Sequence, residues 1–354
     1  MSQVKFNIRH RVFISMFRLS GLLSKLLLMS LLSASFLAAA EEKKLLIIDS
    51  QAGEPYEEAR ISMLQELSSQ GFITGKNLVV TQHDSLNKTG LTKRWLRLET
   101  PNKYNVIFVN GTIAASAAMK WGYGGREKFV FASVTDPVGI GIINELGKPP
   151  FGNFTGVPYG VPIADRLRFL LQVLPDAKVI GLIHTDMPQS SIYVDRLKVT
   201  LRQPEFANLK VIFHKIPFIN TDKGHIRMAQ LTSAAATALH AKVDLFMTPS
   251  DQFGITKAFS AAIKNASSKP LMGLSKDEVK NWGAHFALYP RQDLAGRKAG
   301  KIIAGLLNGE AFEKQIPDYA LGEYAINIKS AQKSGITFPD DILRDKNIVI
   351  FEED

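Results

Sequence analysis

The sequence predicts an α/β protein built of two doubly wound lobes joined by a hinge of more than one strand. Three observations carry this. Short apolar runs alternate with amphipathic stretches from residue 44 onward. The runs are apolar on both faces, as parallel strands are when helices cover each side. A stretch rich in glycine and proline and without helical period, GKPPFGNFTGVPYGVP (147–162), divides them into two sets.

The first set of strands is KLLII (44–48), NLVVTQ (77–82), NVIFV (105–109) and KFVFAS (128–133). The second is KVIGLI (178–183), LKVIFHK (209–215), VDLFMT (243–248), PLMG (270–273) and HFAL (285–288). Between them the period changes. From 162 to 174 the apolar residues Ile163, Leu167, Leu170, Leu171 and Leu174 form one helical stripe, opened by Pro162 and closed before Pro175. Residues 296–308 repeat the device with Ala299, Ile302, Ile303, Leu306 and Leu307, and Gly309 supplies the stop. A helix over 53–71 turns Ala59, Met63, Leu64 and Leu67 to the core. The expected organisation is therefore a first lobe over 41–157, a second over 158–285, and a return to the first lobe with a C-terminal segment over 286–354. That last segment holds a strand-like YAINI (324–328) and a polar tail.

Residues 1–40 stand outside this pattern. They carry Lys5, Arg9, Arg11, Arg18 and Lys25, no acidic residue, and an apolar run ending in Ala38, Ala39 and Ala40. A basic start, an apolar middle and small residues at the end predict a secretory signal peptide cleaved near Ala40, with Met1 or Met16 as the start. Lys25 falls at the wrong place for an uncleaved membrane anchor. The chain has no cysteine, which excludes a disulfide scaffold, a thiolate metal site and an acylated-cysteine anchor. A signal without a lipobox cysteine points to the periplasm.

Composition narrows the function. The formal charge is +10, but the first forty residues hold five of the 43 basic residues and none of the 33 acidic ones, so +5 remains. Without a basic run or interleaved aromatic and basic residues, nucleic acid is not an expected partner. None of the seven histidines pairs at metal-ligand spacing, and no H-E-x-x-H or G-x-S-x-G occurs. GFITGK (71–76) has one residue too few for a phosphate loop, and GIGIIN (139–144) lacks the third glycine of a dinucleotide fingerprint. No catalytic residue, metal or cofactor is expected.

Open α/β sheets bind ligands outside the carboxyl ends of their strands. The loops there are DSQAGEPY (49–56), NGTIAAS (110–116), VTDPVG (134–139), HTDMPQSS (184–191), TPSDQFG (248–254) and YPRQD (289–293). Several lead into helix starts, where free N–H groups favour an anion. Gly111 and Thr112 would offer an amide and a hydroxyl, although a threonine there also suits a helix cap. Asp136 and Asp251 could each accept from an ammonium, or fix a turn. Ser190 and Ser191 read as ligand hydroxyls or as a helix cap. Tyr56, Tyr159, Phe253 and Tyr289 stand at loop positions, where rings can flank a flat ligand or pack the loop.

At these loops the chain resembles the periplasmic solute-binding proteins of ABC transporters that include the tryptophan- and tyrosine-type binding proteins. The matching stretches are EEARISMLQELSSQGFITGKNLVV (57–80), FASVTDPVGIGII (131–143), GNFTGV (152–157), LLQVLPDAKVIGLIH (170–184), TPSDQ (248–252) and INIKSAQKSGITFPDDIL (326–343). The resemblance implies the type I binding-protein fold, two Rossmann-like lobes with a ligand cleft between them. It places Thr135 and Asp136 at the family's cleft-lining TDP turn, Thr112 at the helix-start loop of the first lobe, and Asp251 at the acidic position of the second. The chain departs from the family in HTDMPQSS, where a Y-N-P-type loop is usual, and in ALYPRQDLAG, where Arg291 is unexpected.

The expected activity is capture, not catalysis. A monomer closes its lobes on a small amino-acid-like molecule, an aromatic one among those the rings would suit, and presents the closed form to a membrane permease and its ATPase. Hydroxyls and helix-start amides would take the carboxylate, and Asp136 or Asp251 the ammonium. An alternative is a periplasmic sensor that reports to a membrane kinase or cyclase.

Overall fold

The computed structural model describes residues 42–100 and 103–352; the expected signal peptide lies outside them. The first sheet consists of β1 (Lys43–Asp49), β2 (Leu78–Asp84), β3 (Val106–Asn110), β4 (Phe129–Val134) and β5 (Phe154–Pro158), all parallel, in the order β2-β1-β3-β4-β5. Side chains alternate across it as the pleat requires. Leu45, Ile47, Phe108 and Val130 enter one core, and Leu46, Ile48, Ile107, Val109 and Phe131 enter the other. Helices α1 (Tyr56–Ser69), α2 (Thr89–Glu99) and α3 (Thr112–Gly122) follow β1, β2 and β3.

The second sheet holds β6 (Val179–Thr185), β7 (Lys210–Ile216), β8 (Leu245–Met247), β9 (Leu271–Gly273), β10 (Phe286–Pro290), β11 (Gly322–Asn327) and β12 (Ile348–Phe351). Their order is β12-β11-β10-β9-β8-β6-β7, and only β10 and β11 run antiparallel. Before β6 comes α4 (Ile163–Val173); then α5 (Pro188–Thr200) and α6 (Gly224–Leu239) follow β6 and β7. Next come α7 (Lys257–Ala266) after β8 and the short α8 (Lys276–Lys280) after β9. From the predicted stripe of α4, Leu167 and Leu170 pack with Leu182, Leu245 and Phe286, while Ile163, Leu171 and Leu174 are partly buried against them. Val173, outside the predicted stripe, is buried as well.

Two strands escape the sequence pattern. β5 lies inside the expected linker, because its centre is Gly156 at φ +151°, where a Cβ would strike the main chain of Phe131 on β4. The glycine lets the two strands close up beside a register shift between Phe131 and Val134, and its small size hides the strand. β12 lies in the expected polar tail as a short edge strand beside β11.

The C-terminal segment also differs from the expectation. β10, β11 and β12 all belong to the second sheet, and the part that returns to the first lobe is α9 (Gln292–Leu307), which lies along α1. Its Ala295, Ala299, Ile302, Ile303 and Leu306 complete the core over Leu45, Ile47 and Phe108. The chain therefore crosses between lobes after β5, between β10 and α9, and again before β11. An apolar strand does not declare which sheet it joins, so the three crossings are not written in the periodicity.

The approach of α9 to α1 depends on small residues. A Cβ at Gly296 would collide with the Ala59 carbonyl, and one at Gly300 would sit 2.8 Å from the Met63 carbonyl oxygen. Gly296→Ala is expected to cost about 1–3 kcal/mol in denaturant unfolding. Gly90→Ala, with open space around it in α2, should be neutral or slightly stabilising.

His285 locks the start of β10. Its Nδ1 accepts from the Leu271 N–H at 2.9 Å, so its proton sits on Nε2, which donates to Ser334 Oγ at 2.8 Å. Burial, and then the nearby Lys264 charge, bring its pKa from 6.5 down to about 4. The unfolded chain takes up this proton below pH 6.5 while the folded one refuses it. Stability from this residue is thus complete above pH 6.5 and falls by about 3 kcal/mol as the pH drops toward 4. Chemical denaturation of His285→Asn should lack that part of the slope.

Candidate functional site

Both sheets share one consequence of their order. The connections that leave β1 and β3 run in opposite directions along the sheet, as do those that leave β6 and β8, so each sheet opens a crevice at those carboxyl ends. In the first lobe the crevice is braced from beneath. Asp49, at the end of β1, accepts from Arg60 Nη1 at 2.5 Å, Asn110 Nδ2 at 2.8 Å and Gln82 Nε2 at 3.0 Å. Its burial raises the carboxyl pKa, against the pull of Asn110 and Arg60. Asn110 also donates to the Tyr56 carbonyl at 2.8 Å, which ties the β1 loop to β3.

Above this brace stand the first-lobe residues picked from the sequence. Gly111, at φ +97°, leaves no room for a Cβ because the Tyr56 ring and Ser50 Oγ lie against it. Thr112 opens α3, and its Oγ1 accepts from the Thr135 N–H at 3.2 Å, so it links two rim loops and does not cap its helix. Asp136 Oδ1 accepts from the Gly139 N–H at 2.9 Å and is ion-paired with Arg196, which reaches across from α5 in the second lobe.

The second lobe gives several chosen residues other work. Asp251 is buried, and Oδ2 accepts from Ser190 Oγ at 2.7 Å and from Thr185 N and Oγ1, both at 3.1 Å. Oδ1 accepts from Gly254 N at 2.7 Å and Phe253 N at 3.0 Å. Five donors hold this carboxylate within its own lobe, so it fixes the loops after β6 and β8 and is not an ammonium acceptor. Ser190 is spent on the same knot. Phe253 belongs to the core, edge-on to Phe259 with ring centres 5.8 Å apart. Ser191 is exposed on α5.

The lobes meet around a cavity that opens to solvent. Thr135 and Asp136 line it from the first lobe, Arg166, Ile192, Tyr193, Arg196, Ser250 and Leu274 from the second, and Tyr159 and Tyr319 from the crossings. A wider opening shares Tyr159 and Leu274 with it and runs past Glu54, Glu58 and Tyr289. There Arg291 is clamped: Nε and Nη2 donate to the two Asp293 oxygens at 2.7 and 2.6 Å, and Nη1 to Glu323 at 2.5 Å. Tyr289 donates to the same Glu323 carboxylate. Burial, then Asp293 and Glu54, raise the Glu58 pKa. Burial also raises the Tyr159 and Tyr319 hydroxyls, so both are neutral donors at ordinary pH.

Among the lining residues not singled out from the sequence are Arg166, Tyr193, Arg196 and Tyr319. Arg166 did leave a signal. It stands three residues after Ile163 and four before Leu170, a charge inside an apolar stripe. In the structure it is 1% exposed; Nη1 donates to the Tyr193 hydroxyl, Nη2 to the Thr248 and Gly273 carbonyls at 3.2 and 3.1 Å, and Nε has no partner. Glu278, fully buried nearby, accepts from Thr248 Oγ1 at 2.6 Å and Leu274 N at 2.8 Å, and its burial raises its pKa. Among the described residues no cluster of His, Cys, Asp or Glu could hold a metal ion, and no helix is long and apolar enough to cross a membrane.

Two crevice-bearing lobes crossed three times by the chain, with an interlobe cavity, define a class: two-lobed ligand-binding proteins that hold a small molecule between parallel sheets. The chain belongs to the ABC transporter substrate-binding protein family, whose profile matches residues 52–350. It is thus a solute-binding component of an ABC importer and not an enzyme. A tyrosine-binding protein of Clostridioides difficile is 25% identical over 276 residues, 77% of this chain and 74% of that protein. An ABC domain of Streptococcus pneumoniae solved with L-Trp superposes with TM-score 0.65 at 21% identity, covering 87% of this chain and all of that one. A ligand-free, open substrate-binding protein with adhesive properties from Clostridium difficile gives TM-score 0.72 at 21% identity, covering 88% and 100%.

The Asp251 knot makes a stability prediction. Asp251→Ala leaves several buried donors without an acceptor and should cost about 2–4 kcal/mol in chemical denaturation. Asp251→Asn should recover only part of this, since one of its two ends donates where the site needs acceptors.

Proposed function

We propose that this protein is a periplasmic, monomeric receptor that captures a small amino-acid-sized molecule with a flat apolar portion and delivers it to the permease of an ABC importer. The observation that carries this reading is the cavity lined from both lobes, where Tyr159, Tyr193 and Tyr319 gather around Ile192 and Leu274. Such a space, apolar in its walls and polar at a few points, suits a small ligand and not a macromolecule. The relatives support the ligand class: one is named for tyrosine, and another was solved with L-Trp. The basic, apolar, small-residue order of residues 1–40 supports export to the periplasm.

The mechanism follows from two-sided contact. A molecule touching one lobe alone would bind the open and closed forms equally and shift nothing. Contacts from Thr135 on one side and Ser250 on the other exist together only when the lobes approach, so binding free energy favours the closed form. That closed face is what the permease reads. In a thermal-shift screen of amino acids, organic acids, sugars and purines, an aromatic amino acid or close analogue at ~100 times its Kd should add about 2.7 kcal/mol of stability. X-ray scattering should show compaction with the same compound. A response confined to sugars or purines would overturn the aromatic reading.

A further inference from the structure

We propose that Arg196 is the anion receptor of the cleft, and that Asp136 is its positioning residue and not a contact for a ligand ammonium; the inference rests on the ligand site proposed above. Asp136 stands in the first lobe and Arg196 in the second, and they meet in an ion pair. The pair uses Nη2 of the guanidinium, and among the described residues no other atom of that group has a protein partner. Arg196 is about one-third exposed and lines the cavity, so its free edge can take a carboxylate or another oxyanion through two parallel N–H bonds.

The other charges around the cavity agree. Arg166 is a second guanidinium in the wall, bonded to the Tyr193 hydroxyl and two carbonyls and, among the described residues, to no carboxylate. Because the Tyr193 oxygen accepts from Arg166, the hydroxyl keeps its own proton for an acceptor. The neighbouring Glu278 is buried behind Thr248 and Leu274, which occupy both its oxygens. Asp136 is the carboxylate that lines this cavity. The wider opening carries Glu54, Glu58, Asp277 and Glu323 against Lys276 and Arg291, and it repels an anion. The cleft is polarised, and a carboxylate-bearing ligand is turned with that group toward Arg196. Lobe closure and anion capture are then one event, since Asp136 holds the guanidinium only when the lobes are together.

Calorimetric titration with tyrosine, tyramine and 3-(4-hydroxyphenyl)propionate tests this, because the second lacks the carboxylate and the third lacks the ammonium. The two acids should bind, and tyramine should be weaker by roughly a hundredfold or more. Arg196→Gln should remove that preference, and Arg196→Lys should restore part of it. Asp136→Asn should weaken tyrosine and the deaminated acid by the same factor. Tyramine binding as well as the acids overturns the proposal, as does an Asp136→Asn variant that loses tyrosine while keeping the deaminated acid. Should none of the three bind, leucine, 3-methylbutylamine and 4-methylpentanoate repeat the comparison. An acid preference there overturns only the aromatic reading, whereas no acid binding in either set overturns the anion receptor.

Discussion

Parallel strands that end at a common rim leave their next loops and helix starts with groups that the sheet cannot satisfy, and this chain builds two such rims that meet across a cavity. Every polar group there must find a partner in its own lobe, in the other lobe, or in a ligand. The three solutions are divided among named residues. Asp49 and Asp251 are saturated within their own lobes and make each rim rigid. Asp136 and Arg196 are satisfied across the gap. The remaining edge of Arg196 and the proton of the Tyr193 hydroxyl are left for what enters.

Much of the architecture was legible because burial on both faces of a sheet forces unbroken apolar strands, and an α/β chain separates them with striped helices. The stripe from Ile163 to Leu174 and the run KLLII are such cases. What escaped has physical causes. Gly156 carries no side chain to mark β5, because its neighbour's main chain occupies that space. The placement of β10 with the second sheet follows from pairing with β9 and β11, which a linear pattern does not contain.

The site was legible to a different degree. Of the residues picked at the strand ends, Thr135 and Asp136 line the cavity, and Tyr159 lines it from the expected linker. The strand-end rule could not separate a loop residue that faces the gap from one that faces inward. Asp136 and Asp251 look alike in sequence, each acidic and at a turn. They differ because Asp251 is surrounded by the N–H and hydroxyl groups of Thr185, Ser190, Phe253 and Gly254, while Asp136 meets a guanidinium from the other lobe. Arg196 itself sits two turns into α5, beyond the loop to which the rule applies.

The crossings decide how such a receptor can move. α9 rests on α1 through Gly296 and Gly300 at a distance that tolerates no added methyl, so it travels with the first lobe as a rigid piece. β10, which immediately precedes it, is fixed in the second sheet by its neighbours and by His285. At this crossing, one of three, any change of angle between the lobes falls on the few residues around Arg291. There the guanidinium, held by Asp293 on α9 and by Glu323 on β11, bridges the junction without crossing the ligand cavity. A charge clamp at the pivot permits a change of angle that a packed apolar contact would resist, because a long side chain can keep its bonds through a small rotation. The junction and the cavity are thus held by separate arginines, Arg291 at the crossing between β10 and α9 and Arg196 between the lobes.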